Sequence, residues 1–183
     1  MRKYFNSLWI LGLGTLVVFP LLAWPIFYFT GQNWGDVLAC SSESIWSIFN
    51  FLSAGIIFGL LMIWMTELSY FEQSLAKYKN LLTQFELNRG HVIFLSICAG
   101  VGEEIFFRGA IQPLIGIIPT AVIFVAIHGY FSLKDMKVNI FAAALTAFII
   151  LLGWAAQELS LWHAIAGHFA YDLVLLAYYR KTA

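Results

Sequence analysis

The chain has 183 residues, 61% of them apolar and 11% charged, with a mean hydropathy of +0.82, a balance that excludes a soluble domain and makes it an integral membrane protein. Ten Lys plus Arg offset ten Asp plus Glu, so no basic field exists to attract nucleic acid. The cysteines, Cys40 in an expected loop and Cys98 in an apolar run, give no disulfide framework.

The first apolar run, roughly 8–29, follows MRKYFNS. It is too long for the apolar region of a signal peptide, and no small-x-small cleavage site follows LLAWPIFYF, so it is expected to be a retained helix. Further runs at 46–66, 91–113, 115–133, 138–157 and 160–179 bring the candidate spans to six. Between the second and third lies TELSYFEQSLAKYKNLLTQFELNRG, where Leu68, Phe71, Leu75, Tyr78, Leu82 and Phe85 recur at steps of three and four. That spacing predicts an amphipathic helix ended near Gly90, lying on the cytoplasmic membrane surface or folded back onto the bundle. No repeat, low-complexity tract or linker interrupts the chain. The expected fold is all-α: one polytopic membrane domain over 1–183, a bundle of about six transmembrane helices plus the cytoplasmic amphipathic helix. Trp and Tyr near the span ends read as interfacial anchors.

With the N-terminus in the cytoplasm, the inside segments hold Arg2, Lys3, Lys77, Lys79, Arg89, Lys134, Lys137, Arg180 and Lys181. The outer connections carry Asp36, Glu43 and Glu158 instead. Six spans with both termini cytoplasmic satisfy the bias of cations toward the inside.

Six residues stand out within these runs: Glu103, Glu104, Arg108, His128, His168 and Asp172. A charge near the bilayer centre costs about 2.5–3.5 kcal/mol on insertion scales, so side chains of this kind mark function or tight pairing. Glu103 and Glu104 fall near the centre of the third run, His128 just past the centre of the fourth, and His168 with Asp172 around the centre of the sixth. At about 1.5 Å per residue they reach a common level within one or two turns, and three helices can build one polar pocket. Glu104 and Arg108 share a helix face with the acid N-terminal, the favourable order for a pair. Glu103 points about 100° away and has no cation of its own within a turn, which frees it to act as a base. His168 and Asp172 also share a face, where a carboxylate can fix the tautomer of the imidazole. His163 and His91, near the outer and inner boundaries, read as interfacial.

Glu103-Glu104-x-x-x-Arg108, Phe124-x-x-x-His128 and His168-x-x-x-Asp172, in this order, resemble the three motifs of the CPBP intramembrane proteases. That family, also called the Abi or CAAX protease family, includes the type II CAAX prenyl endopeptidases. Trp162 and Ile165 extend the resemblance to its Trp-x-x-Ile-x-x-His-x-x-x-Asn/Asp context. It covers about 91–180, a family-like catalytic core; the first 90 residues carry no matching motif. The resemblance implies hydrolysis of a peptide bond inside the membrane. Glu103 would activate water, His128 would help to hold it, and His168 with position 172 would stabilise the oxyanion, with Glu104 and Arg108 in support. Many relatives have Asn at the last position. Asp172 can donate a hydrogen bond only when protonated, so it either carries a proton or orients His168.

Relatives have been described as metalloproteases, and Glu103, His128 and His168 supply a ligand set that catalytic Zn2+ sites use. No His-Glu-x-x-His signature is present, and the reading favoured is a metal-free, glutamate-activated water with no cofactor. Other readings of the same residues are a zinc-dependent protease, a proton-coupled carrier and a non-catalytic immunity or scaffold protein. The expected partners are membrane lipid and a membrane-associated peptide or protein, which must present an extended segment because a helix hides its backbone. Nothing selects between prenylated tails and other peptides. The compact chain without targeting signals suggests a bacterial plasma membrane.

Overall fold

The computed structural model describes residues 2–40 and 44–182; Glu43, expected in an outer connection, lies outside them. The chain forms α1 (Arg2–Thr30), a short α2 (Trp34–Val37), α3 (Ser44–Glu67), α4 (Ser69–Thr83) and α5 (Arg89–Glu104). From α5 the helix continues through a π-helical turn, Ile105–Ile111, into the short α6 (Gln112–Ile115). After it come α7 (Ile117–Ile127), α8 (Met136–Glu158) and α9 (Leu161–Thr182).

Among the described residues four helices are long and apolar enough to cross a membrane: Ser7–Thr30, Ile45–Glu67, Arg89–Ile115 and Met136–Glu158. The expectation of six spans is therefore corrected. The run at 115–133 holds a helix of only 11 residues, about 16 Å at the α-helical rise against about 30 Å of hydrocarbon. Gly116 and Gly129, at φ 87° and 77°, bracket α7 with turns that only glycine adopts cheaply. α9 has the length, 22 residues, but His163, His168, Asp172 and Arg180 dilute its apolar character.

α3 and α9 pack side by side in the same direction. Ser47 meets His163 at one end, 2.5 Å between Oγ and Nε2, and Thr66 meets the hydroxyl of Tyr179 at the other, 2.8 Å. Gly55 and Gly59 make the close approach possible. A Cβ on Gly55 would run into the carbonyl oxygen of Gly167, and one on Gly59 would press Val174 at 3.1 Å. Small residues four apart are a common device for helix contact in lipid. α1 lies along α5, with Trp9 against His91 and Phe94 at ring-centroid distances of 5.0 and 4.5 Å.

α4 folds back onto the bundle. Leu75 and Phe71 are buried, the Tyr78 hydroxyl donates to Gly129 O at 2.6 Å, and Lys79 pairs with Glu67 at 2.7 Å. The contact of Tyr78 with Gly129 puts the loop after α7 at the same end as α4, so α7 still carries the chain from one end of the bundle toward the other. Lys77, Lys79, Arg89, Lys134, Lys137 and Arg180 all fall at this basic end. The opposite end gathers α2, the Gly116 turn and the α8–α9 connection, tied by Trp162 Nε1 donating to Leu38 O at 2.9 Å. The main core, including Met62, Phe124, Phe141, Leu145, Phe148 and Leu152, fills the space between α3, α7, α8 and α9. A second cluster, with Ala23, Phe27, Ile105, Leu161 and Ile165, packs α1 against the π-helical turn and α9.

Candidate active site

Glu103 and Glu104 are the last two residues of α5, at the mouth of the π-helical turn. A π turn widens the helix and shifts the residues after it, a feature frequent at functional sites. Glu104 is fully buried. Its Oε2 lies 3.1 Å from Arg108 Nε, the pair the spacing had suggested. Its Oε1 lies 2.7 Å from His168 Nδ1, a contact the sequence did not indicate. Buried charges need such multiple partners, because each loses its hydration.

Glu103 points the other way, into a cavity of about 510 Å³. Its Oε2 is 3.7 Å from His128 Nε2. His128 caps the C-terminus of α7, and thus sits at the end of a short helix rather than past the middle of a spanning one. Its Nδ1 lies 2.6 Å from Phe124 O. A carbonyl only accepts, so Nδ1 carries the proton, and Nε2 faces the cavity. His168 Nε2 faces Asp172 Oδ2 at 3.5 Å. Glu103, His128, His168 and Asp172 all line the same cavity, and Glu104 with Arg108 lies behind it.

Sequence reasoning passed over Phe124 except as a motif position. Its ring is 4.5 Å from that of His128 and 5.7 Å from that of His168, and the Arg108 guanidinium carbon sits 4.8 Å from its centroid. The ring thus shields the cation on the side facing the cavity. Tyr130 and Tyr171 also line the space, as do Leu8, Leu11, Leu82 and Phe85; no motif marks any of them. The cavity therefore runs from the carboxylates and imidazoles toward the basic end between largely apolar walls.

His163 and His91 are not interfacial side chains but fully buried. His163 is held by Ser47 at Nε2 and by Ser160 at Nδ1, 2.5 and 2.9 Å, which meets the polar cost of burial. His91 closes a capping box with Asn88 at the start of α5.

Among the described residues no group of three or more His, Cys, Asp or Glu is arranged to hold a metal ion. Within the set Glu103, His128 and His168, the Nδ1 atoms are engaged by Phe124 O and Glu104, which leaves the two Nε2 atoms and the Glu103 carboxylate as the groups a metal would have to use. The arrangement offers one carboxylate beside an imidazole edge, with a second imidazole held between two carboxylates.

Residues 86–174 match the family model described as Type II CAAX prenyl endopeptidase Rce1-like. The matched segment contains all six of the polar residues discussed above. No curated protein and no solved structure matched the chain.

Proposed function

Taking as premise that residues 86–174 are a domain of the Rce1-like type II CAAX prenyl endopeptidase family, we propose that the chain hydrolyses a peptide bond inside the membrane by glutamate-activated water. The observation that carries this reading is the 3.7 Å between Glu103 Oε2 and His128 Nε2, in a cavity they share with His168 and Asp172. Such a gap is slightly too long for a direct hydrogen bond and suits groups that close on one water.

In the proposed reaction Glu103 accepts a proton from that water while His128 Nε2 holds it. The oxygen forms a bond to the carbonyl carbon, and the carbonyl oxygen takes the negative charge. A doubly protonated His168, donating from Nδ1 to Glu104, offers Nε2–H to the oxyanion; Asp172 either shares this role when protonated or fixes the ring. Prearranged donors in a water-poor site act strongly on developing charge. Glu103 then returns its proton to the amide nitrogen, the carbon–nitrogen bond breaks, and an acid and an amine leave.

The substrate of this reading is a membrane-associated peptide or protein bound as an extended segment, since a helix would hide its carbonyls. The whole chain acts as one domain with its catalytic core in 91–180 and with α1 as a cavity wall. The gathering of cations at one end supports both termini facing the cytoplasm. The test is mass spectrometry of membrane peptides from cells carrying the wild type or Glu103→Ala. Peptides that disappear in the variant support the reading, and identical profiles at equal protein levels sink it.

A further inference from the structure

α7 ends in a turn that fixes the backbone around His128. Gly129 N donates to Ala126 O at 2.9 Å and Tyr130 N donates to Val125 O at 3.4 Å, with Gly129 at φ 77°. This is the Schellman arrangement, in which a left-handed residue lets two amides return to the last carbonyls of a helix. His128 itself donates to Phe124 O from Nδ1. All of these bonds are local to the turn. They set the shape of the helix end and leave its place relative to Glu103 to contacts from elsewhere.

Those contacts come in large part from α4. Tyr70, Ser74 and Tyr78 stand four apart and share one face of that helix, and each meets the connection from α7 to α8. Lys137 Nζ lies 4.4 Å from the centroid of the Tyr70 ring, and Ser74 interacts with the carboxylate of Asp135. Tyr78 takes the residues beside His128: its hydroxyl donates to Gly129 O at 2.6 Å, and its ring stacks on that of Tyr130, with 4.8 Å between centroids and 26° between planes. From the other side α8 holds the same connection, where Asn139 accepts from Ser132 N at 2.9 Å and donates to Ser132 O at 2.7 Å. Of these contacts, those of Tyr78 fall nearest to His128.

The demand on this turn is strict. Glu103 Oε2 and His128 Nε2 are 3.7 Å apart, and a misplacement of about 1 Å in a reacting constellation can cost about 10²-fold in rate. α7 has only 11 residues and starts from the Gly116 turn, so the end that carries His128 needs an anchor of its own. We propose that Tyr78 is a positioning residue for His128, and that α4, which lies outside the matched segment 86–174, is the brace that holds this imidazole at its distance from Glu103. Tyr78 touches neither substrate nor the attacking water; it acts through the Gly129 carbonyl and the Tyr130 ring. The rate readout rests on the hydrolytic reading above; the spectroscopic readout does not.

The test compares full-length wild type, Tyr78→Phe and Lys79→Met in nanodiscs. Phenylalanine keeps the stack and deletes the hydroxyl, whereas Lys79→Met breaks another tie of α4 to the bundle, its pair with Glu67, without touching the turn. Nitrogen-15 spectra of histidine-labelled protein report the imidazole, with His128 assigned by its loss in His128→Asn. Mass spectrometry of a membrane-protein extract incubated with each protein reports the rate of Glu103-dependent peptide release. Tyr78→Phe should displace the His128 resonances, leave those of His91 and His163 in place, and slow release about tenfold; Lys79→Met should match the wild type in both. Unmoved His128 resonances in Tyr78→Phe would overturn the brace, as would an equal displacement in Lys79→Met. Displaced resonances with unaltered release would overturn its part in the reaction. If wild type and Glu103→Ala release the same peptides, the hydrolytic reading fails, and the spectra still decide whether Tyr78 holds His128.

Discussion

Glu104 Oε1 and His168 Nδ1 lie 2.7 Å apart, which makes a fully buried carboxylate the closest partner of the imidazole and leaves Asp172, at 3.5 Å, on its cavity side. The same carboxylate holds Arg108, so its removal strands a guanidinium. Breaking a buried pair from one side costs about 3–5 kcal/mol. Glu104→Gln should therefore lower the unfolding midpoint clearly, and Glu104→Gln combined with Arg108→Gln should cost less than the sum of the two singles. Thermal unfolding of the purified variants measures this; strict additivity would show that the pair is not coupled.

Glu103→Gln should behave differently. Glu103 Oε2 has no hydrogen-bond partner among the described residues, so neutralising it breaks no protein hydrogen bond at that oxygen and weakens only the 3.7 Å contact with His128. The expected result is a fall in kcat of about 10²–10⁴, the usual contribution of a general base, with an unfolding midpoint equal to or above that of the wild type. A variant that unfolds before it loses turnover would place Glu103 in the scaffold instead.

The polar residues that line one cavity, Glu103, His128, His168 and Asp172, stood out in the sequence because ionisable residues in apolar runs are so costly that few arrangements tolerate them, whereas the place of His128 at the end of a short helix did not. The pairing of Glu104 with Arg108 was legible from helical spacing. The contact of Glu104 with His168 was not, because it joins residues of different helices across a π-helical turn that the sequence does not announce. The shortness of α7 had a signal in Gly116 and Gly129, but the apolar run between and beyond them outweighed it. The burial of His163 depends on Ser47, which belongs to a distant segment with no motif. The wall from α1, Leu8, Leu11, Gly12 and Thr15, carries only uncharged residues that any membrane helix could have.

His128 should hold its proton on Nδ1, since that atom faces the carbonyl of Phe124 at 2.6 Å. Nitrogen-15 NMR of histidine-labelled protein reads the tautomer directly. The Nδ1–H form is expected for His128 in the resting protein, and the Nε2–H form would remove its ability to accept from a bound water.

Asp172→Asn separates the two roles open to the carboxyl. If Asp172 donates to the oxyanion, it does so only while protonated, so wild-type cleavage should fall as pH rises through its titration while the amide variant, a donor at every pH, keeps its activity there. If Asp172 only orients His168, Asn should lower the rate across the whole range without changing the shape of the profile. Rates from pH 5 to 9 on both proteins distinguish the outcomes, and the comparison is insensitive to a uniform loss of folded protein.

The contact between α3 and α9 fixes where His168 and Asp172 stand, so packing at Gly55 should govern stability and activity together. A Cβ there meets the carbonyl of Gly167 and, at 2.9 Å, the Cβ of Ala170, neither of which can move without shifting a helix. Gly55→Ala should destabilise by about 1–3 kcal/mol, the range for overpacking a tight contact. Gly14 lies within α1 with nothing inside 4 Å of its added Cβ, so Gly14→Ala should gain about 0.5–1 kcal/mol from its better helix propensity. Parallel unfolding curves would show opposite shifts for one and the same chemical change. Equal shifts would mean that α3 and α9 do not approach this closely.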